Sequence, residues 1–109
     1  MNWIQLNLSD QLDDIIEQSK YTPQVIFKHS TRCSISIMAI SRLEREPMPE
    51  GMSFYYLDLL SYRELSNLIA EKFNVEHQSP QILLIKNGQC TYEETHSAIS
   101  MDELLVQAK

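Results

Sequence analysis

The sequence predicts an α/β domain spanning residues 1–109 in the order β-α-β-α-β-α-β-β-α, with a mixed central sheet flanked by helices on both faces. Three observations predict it. Short apolar runs rich in β-branched or aromatic residues alternate with segments of helical periodicity through the first two thirds of the chain. The last third instead sets two strand-like runs on either side of Asn87-Gly88, a strong hairpin signal. Strands alternating with helices need crossovers, and right-handed crossovers cover both sides of a sheet.

Residues Trp3 to Leu8 alternate, with Ile4, Leu6 and Leu8 on one side, and read as the first strand. Ser9 is placed to cap a helix that buries Leu12, Ile15 and Ile16. Pro23 stops that helix, and Gln24 to Lys28 (QVIFK) is short and apolar enough for a central strand buried on both faces. A helix opening near Cys33 carries Ile35, Ala39 and Leu43, with Ile37 and Ile40 beside them, as a broad apolar face. It ends in charged residues and the turn-rich PMPEG. Ser53 to Leu60 (SFYYLDLL) reads as another interior strand, and Ser61 with Glu64 as a capping box ahead of Tyr62, Leu65, Leu68, Ile69 and Phe73. After the hairpin, Ser100 and Glu103 form a second capping box, and Met101, Leu104, Leu105 and Ala108 share a helical face.

Composition narrows the function. Fifteen acidic residues against nine Lys and Arg give a formal charge of −6, which repels a phosphate backbone, so nucleic acid is not an expected partner. The longest aliphatic run is Ile82 to Ile85, and the first residues lack a charged segment followed by a long apolar one. No membrane association is expected, and the two cysteines are expected to be reduced thiols in a cytoplasm.

The segment His29 to Ser36, HSTRCSIS, concentrates the chemistry. A cysteine at the first turn of a helix sits among unpaired N–H groups and the positive end of the dipole, which favour thiolate. His29 and Arg32 are candidates for added positive charge, and the Ser36 hydroxyl, one turn on, for a hydrogen bond to the sulfur. An acidic thiol is above all a good leaving group, so a mixed disulfide formed on it is readily resolved. Each of these residues has a plainer reading. Cys33 could be a small core residue, Ser36 an ordinary polar helix residue, Arg32 a solvated charge, and His29 a ring turned away to bond the backbone.

Serine at position 36 cannot close an internal disulfide, so Cys33 must await an external thiol. Cys90 is no substitute. In this topology it follows the hairpin, roughly 17–20 Å from the Pro80 end of its strand, whereas a disulfide needs Cα atoms within about 7 Å. Cys90 is therefore read as structural or incidental. His77 is read as a surface loop residue, and Tyr55, Tyr56 and the methionines as core and rim.

The order of elements resembles the thioredoxin fold, and particular residues carry the likeness. A cysteine follows the second strand, and Phe73 to Gln89, FNVEHQSPQILLIKNGQ, is similar to that family's aromatic residue, variable loop, cis-proline, apolar strand and Lys-Asn-Gly hairpin. More narrowly, FKHSTRCSIS resembles the active-site segment of the YtxJ-like, bacillithiol-system branch, which has one cysteine in a TCPIS-like or TRCSIS-like setting. Where some members have proline after the cysteine, this chain has Ser34. The resemblance implies a monothiol oxidoreductase that exchanges mixed disulfides between proteins and a low-molecular-weight thiol. That thiol, bacillithiol by implication, serves as co-substrate, with no resident cofactor or metal. Cys33 and Ser36 are then the catalytic pair, and His29, Thr31, Arg32, Ser34, Ser79 and Pro80 the substrate-binding set. A cis bond at Pro80 is implied, with the Ser79 backbone open to pair with a substrate chain.

Other functions fit less well. The histidines and cysteines show no metal-ligand spacing. Cluster carriage of the monothiol glutaredoxin kind would place glycine and phenylalanine where Ser34 and Ile35 stand, and a peroxidase would have threonine and proline where Ser30 and Ile26 stand. The rival from another class is a redox-inactive thioredoxin-fold module that binds a protein partner through its acidic surface.

Overall fold

The computed structural model describes residues 1–109. Its elements are β1 (Ile4–Gln5), α1 (Asp10–Gln18), β2 (Gln24–His29), α2 (Ser34–Glu44), β3 (Ser53–Asp58), α3 (Arg63–Lys72), β4 (Gln81–Lys86), β5 (Gln89–Thr95), a 3-10 turn (His96–Ala98) and α4 (Met101–Ala108). The sheet order is β1-β3-β2-β4-β5; β1, β3 and β2 run parallel, and β4 and β5 are antiparallel to their neighbours. This is the mixed sheet expected from the sequence.

Alternation along the central strands divides the core in two. Val25 and Phe27 of β2 and Ile82 and Leu84 of β4 face Ala39 and Leu43 of α2 and Met101 and Leu104 of α4. Ile26, Leu83 and Ile85 point the other way, against Leu12 and Ile15 of α1 and Leu65, Ile69 and Phe73 around α3. A strand buried on both faces needs apolar residues at consecutive positions, and β2 has them as far as Phe27. The hairpin turns on Asn87 (φ 54°) and Gly88 (φ 79°), the left-handed pair that a two-residue loop requires.

Several local expectations are corrected. The first strand shrinks to two residues, and only Leu6 is buried, while Ile4 and Leu8 are exposed. As an edge strand it has β3 alone to pair with, and the N–H groups of Asn7 and Leu8 turn away to donate to Gln11 Oε1, both at 2.9 Å. Trp3 crosses to the other face, where its ring lies 5.8 Å from Phe27 and 5.9 Å from Phe54. Ser9 precedes α1 as expected, but its side chain makes no capping bond. The Ser61–Glu64 capping box does not form either. β3 ends at Asp58, whose carboxylate accepts from the Leu60 and Ser61 N–H groups and from the Ser61 hydroxyl (3.1, 3.4 and 3.0 Å), and Tyr62 precedes α3. An aspartate just upstream claims the serine first. At α4 the cap does form, with the Glu103 N–H donating to Ser100 Oγ at 3.2 Å. The apolar face of α2 is narrower than its spacing suggests. Ala39 and Leu43 are buried, and Ile35, Ile37 and Met38 are exposed. Leu68 and Leu105 are also exposed. No helix is long and apolar enough to cross a membrane.

Candidate active site

Parallel strands β2 and β3 end at the same edge of the sheet, and antiparallel β4 begins there, because Lys28 pairs with Gln81. The turn after β2 and the Ser79–Pro80 segment before β4 are therefore neighbours. The Ser79–Pro80 peptide is cis, as the resemblance implies.

Cys33 is half-buried and holds the N-cap position of α2 with extended backbone (φ −108°, ψ 118°). Its N–H donates to the Ser30 carbonyl at 3.3 Å, closing a tight turn, and its own carbonyl accepts from Ile37 N–H at 3.0 Å. The N–H groups of Ser34, Ile35 and Ser36 have no acceptor within the protein, so the first turn of α2 presents three unspent donors beside the sulfur. Thr31, Arg32 and Ser34 are exposed around it.

Ser36 and His29 are brought together, but not in the way the sequence suggests. Both are buried, with Ser36 Oγ 2.7 Å from His29 Nδ1. The Ser30 N–H donates to the same Oγ at 3.0 Å. The Ser36 hydroxyl is engaged by His29 and the Ser30 N–H, and the expected hydrogen bond to the Cys33 sulfur is not formed. Burial lowers the pKa of His29, against the opposing pull of Asp58 and Glu44, so the ring is neutral at neutral pH and adds no positive charge. It stacks on Phe27, with ring centroids 5.8 Å apart. The pair's observable work is to staple the Ser30–Cys33 turn to the start of α2.

Ser79 is half-buried, and neither its N–H nor its carbonyl bonds to the protein backbone or to a side chain. Pro80 is buried, and its carbonyl accepts from His96 N–H at 3.1 Å. No surface groove includes Cys33; the largest, about 820 Å³, is lined by Asn7, Leu60, Tyr62, Arg63, Leu68 and Glu71, among others. Cys33 thus keeps part of its surface accessible outside any groove.

Cys90 lies at the hairpin end, opposite Ile85, with its thiol donating to the Tyr92 carbonyl at 3.3 Å. Burial raises its pKa. The two thiols occupy opposite ends of β4's ladder.

One cluster escaped the reading of the sequence. Lys28, in the middle of the sheet with no exposed surface, donates to the Ser66 carbonyl at 3.1 Å and lies 3.2 Å from His77 Nδ1. Ser66 Oγ is also 3.2 Å from that nitrogen. Burial lowers the pKa of Lys28 to about 8; burial, then the charges of Lys28 and Arg63, lower that of His77. The expectation that His77 is a plain surface residue is corrected, since its ring is half-buried and tied inward. A lysine closing an otherwise apolar run was the available signal.

A profile of the family described as Monothiol bacilliredoxin BrxC matches residues 4–104. Among solved structures, one with a thioredoxin fold and a provisional oxidoreductase assignment is 33% identical over 97% of this chain and 93% of that one, with a TM-score of 0.85. The thioredoxin of Malassezia sympodialis is 19% identical over 95% of this chain and 88% of its own, with a TM-score of 0.73. Thioredoxin O2 from Arabidopsis thaliana is 17% identical over 98% and 95%, with a TM-score of 0.70. The last two speak for the fold alone. Together with the site's geometry, the profile and the 33% identical structure place the chain by descent: it has the α/β thioredoxin-like fold and belongs to the monothiol bacilliredoxin BrxC family.

Proposed function

We propose that the protein removes a low-molecular-weight thiol, bacillithiol in the family's setting, from modified proteins in the cytoplasm through Cys33. The observation that carries this reading is the placement of one half-exposed thiol at the start of α2, with Ser36 where a resolving cysteine would stand and Cys90 at the far end of the sheet. Family membership supports the same chemistry.

The cycle has two exchanges. The Cys33 thiolate attacks the mixed disulfide at the small thiol's sulfur, a bond forms between those sulfurs, and the protein's sulfur leaves with the electron pair and takes up a proton. A second small thiol, as thiolate, then attacks the adduct, so the small disulfide departs and Cys33 is regenerated. The net change converts one protein mixed disulfide and one free small thiol into one protein thiol and one small-thiol disulfide. The unspent N–H groups at the start of α2 favour negative charge on a sulfur placed there, both on attack and on departure. Ser36, fixed by His29 and Ser30, shapes the turn and cannot intercept the adduct. Arg32, Thr31 and Ser34 line the exposed rim, and the free backbone groups of Ser79 offer an extended substrate segment two hydrogen bonds.

The test is to incubate the protein with a bacillithiolated protein and weigh the products. The expected result is a Cys33 adduct of one small thiol and release of the unmodified substrate, both lost in Cys33→Ser. Absence of adduct and release in the wild type would leave the redox-inactive interaction module as the better reading.

A further inference from the structure

The segment between α3 and β4 carries Ser79, and side chains hold it from two sides. On one side Gln81, buried, donates from Nε2 to the Glu76 carbonyl at 3.0 Å and accepts from Gln78 N–H at 3.4 Å. On the other side the His77 ring is seized from below by the Lys28 ammonium and the Ser66 hydroxyl. Lys28 and Gln81 are partners across the β2–β4 ladder, so both ties rise from one rung of the sheet. An ammonium can only donate, so Nδ1 must accept and the ring proton resides on Nε2. Burying a lysine is costly, and this one is fully buried on the face of β2 that also carries Ile26 of the apolar core.

We propose that Lys28 and His77 are positioning residues for the exchange reaction, a buried tether that fixes the Ser79 backbone where a peptide carrying the mixed disulfide pairs with it. The proposal rests on the thiol-exchange reading above. It adds that part of the affinity for the protein substrate is set from beneath the loop, by residues that never touch that substrate.

The experiment compares two disulfides that Cys33 would attack: a bacillithiolated peptide, which has a backbone to pair with Ser79, and cystamine, which has none. Rates of adduct formation are measured as a function of concentration for the wild type, Lys28→Met, His77→Leu and His77→Asn. Lys28→Met and His77→Leu are expected to raise the half-saturating peptide concentration about tenfold with the maximal rate within about twofold, as loss of a buried, charge-assisted tie would. The ratio of peptide to cystamine reactivity should fall by the same factor. His77→Asn, whose side-chain oxygen can take the place of Nδ1, should recover most of the loss. Equal half-saturation in wild type and Lys28→Met, or a parallel loss toward cystamine, would overturn the tether. A wild type that reacts with neither disulfide would instead overturn the exchange reading itself, and the tether with it.

Discussion

Lys28 is the residue at which charge and packing conflict most, and the conflict is measurable. The ordinary lysine pKa is 10.5, and burial lowers this one to about 8. Between those values the unfolded chain keeps a proton that the folded chain has released, so stability contributed by this site rises with pH across that window. The displacement corresponds to about 3 kcal/mol. Urea denaturation from pH 7 to 11 should therefore show wild type gaining about 3 kcal/mol on Lys28→Met between pH 8 and 10.5. The raised tyrosines Tyr55 and Tyr56 act in both proteins and cancel in the difference. A flat difference would mean that the ammonium is not held dry. The histidines govern the acid side. Both His29 and His77 lie below the ordinary 6.5, so the unfolded chain accepts protons there that the folded chain refuses, and stability falls as pH drops below that value.

Among the elements, helix starts show how near neighbours decide what a motif does. Ser100 and Ser61 each precede a glutamate by three residues, yet only Ser100 accepts the backbone bond of a cap. Ser61 is held instead by Asp58. Ser100→Ala should cost about 1 kcal/mol in denaturant unfolding, whereas Ser61→Ala should cost less than about 0.5 kcal/mol, since its bond to an exposed carboxylate is screened. The start of α2 differs again. Cys33 occupies the cap position without capping, which leaves the donors of Ser34, Ile35 and Ser36 for whatever charge develops on its sulfur. A serine or aspartate side chain there would bond those groups itself and silence them.

At the scale of the whole molecule the sheet separates the two thiols. Its C-terminal edge gathers the turn after β2, the loop after β3 and the Ser79–Pro80 segment, while Cys90 belongs to the hairpin at the opposite end. Cys90→Ala should therefore leave the rate of small-thiol transfer within about twofold of wild type, the scatter expected for independent sites that do not share partners. A larger fall in the mass-resolved exchange assay would give Cys90 a role in turnover. On the proposed function, the same separation leaves Cys33 dependent on a diffusible second thiol rather than on a resolving partner within the chain.

The sequence by itself determined the order of the elements, the two-faced burial of β2, the hairpin at Asn87-Gly88 and the lone cysteine at the start of a helix. All of these are written in local periodicity or turn chemistry, which one segment suffices to display. Only the tertiary structure decided what Ser36, His29, Lys28 and His77 do. The Ser36 hydroxyl meets a histidine seven residues back, and the Lys28 ammonium a ring forty-nine residues on, through the pairing of β2 with β4. A donor's partner depends on which chain segments the sheet lays side by side, and no spacing within HSTRCSIS or QVIFK encodes that. The exposed Ile35, Ile37 and Met38 teach the same lesson, because helical spacing marks an apolar stripe but not how much of it a neighbour covers.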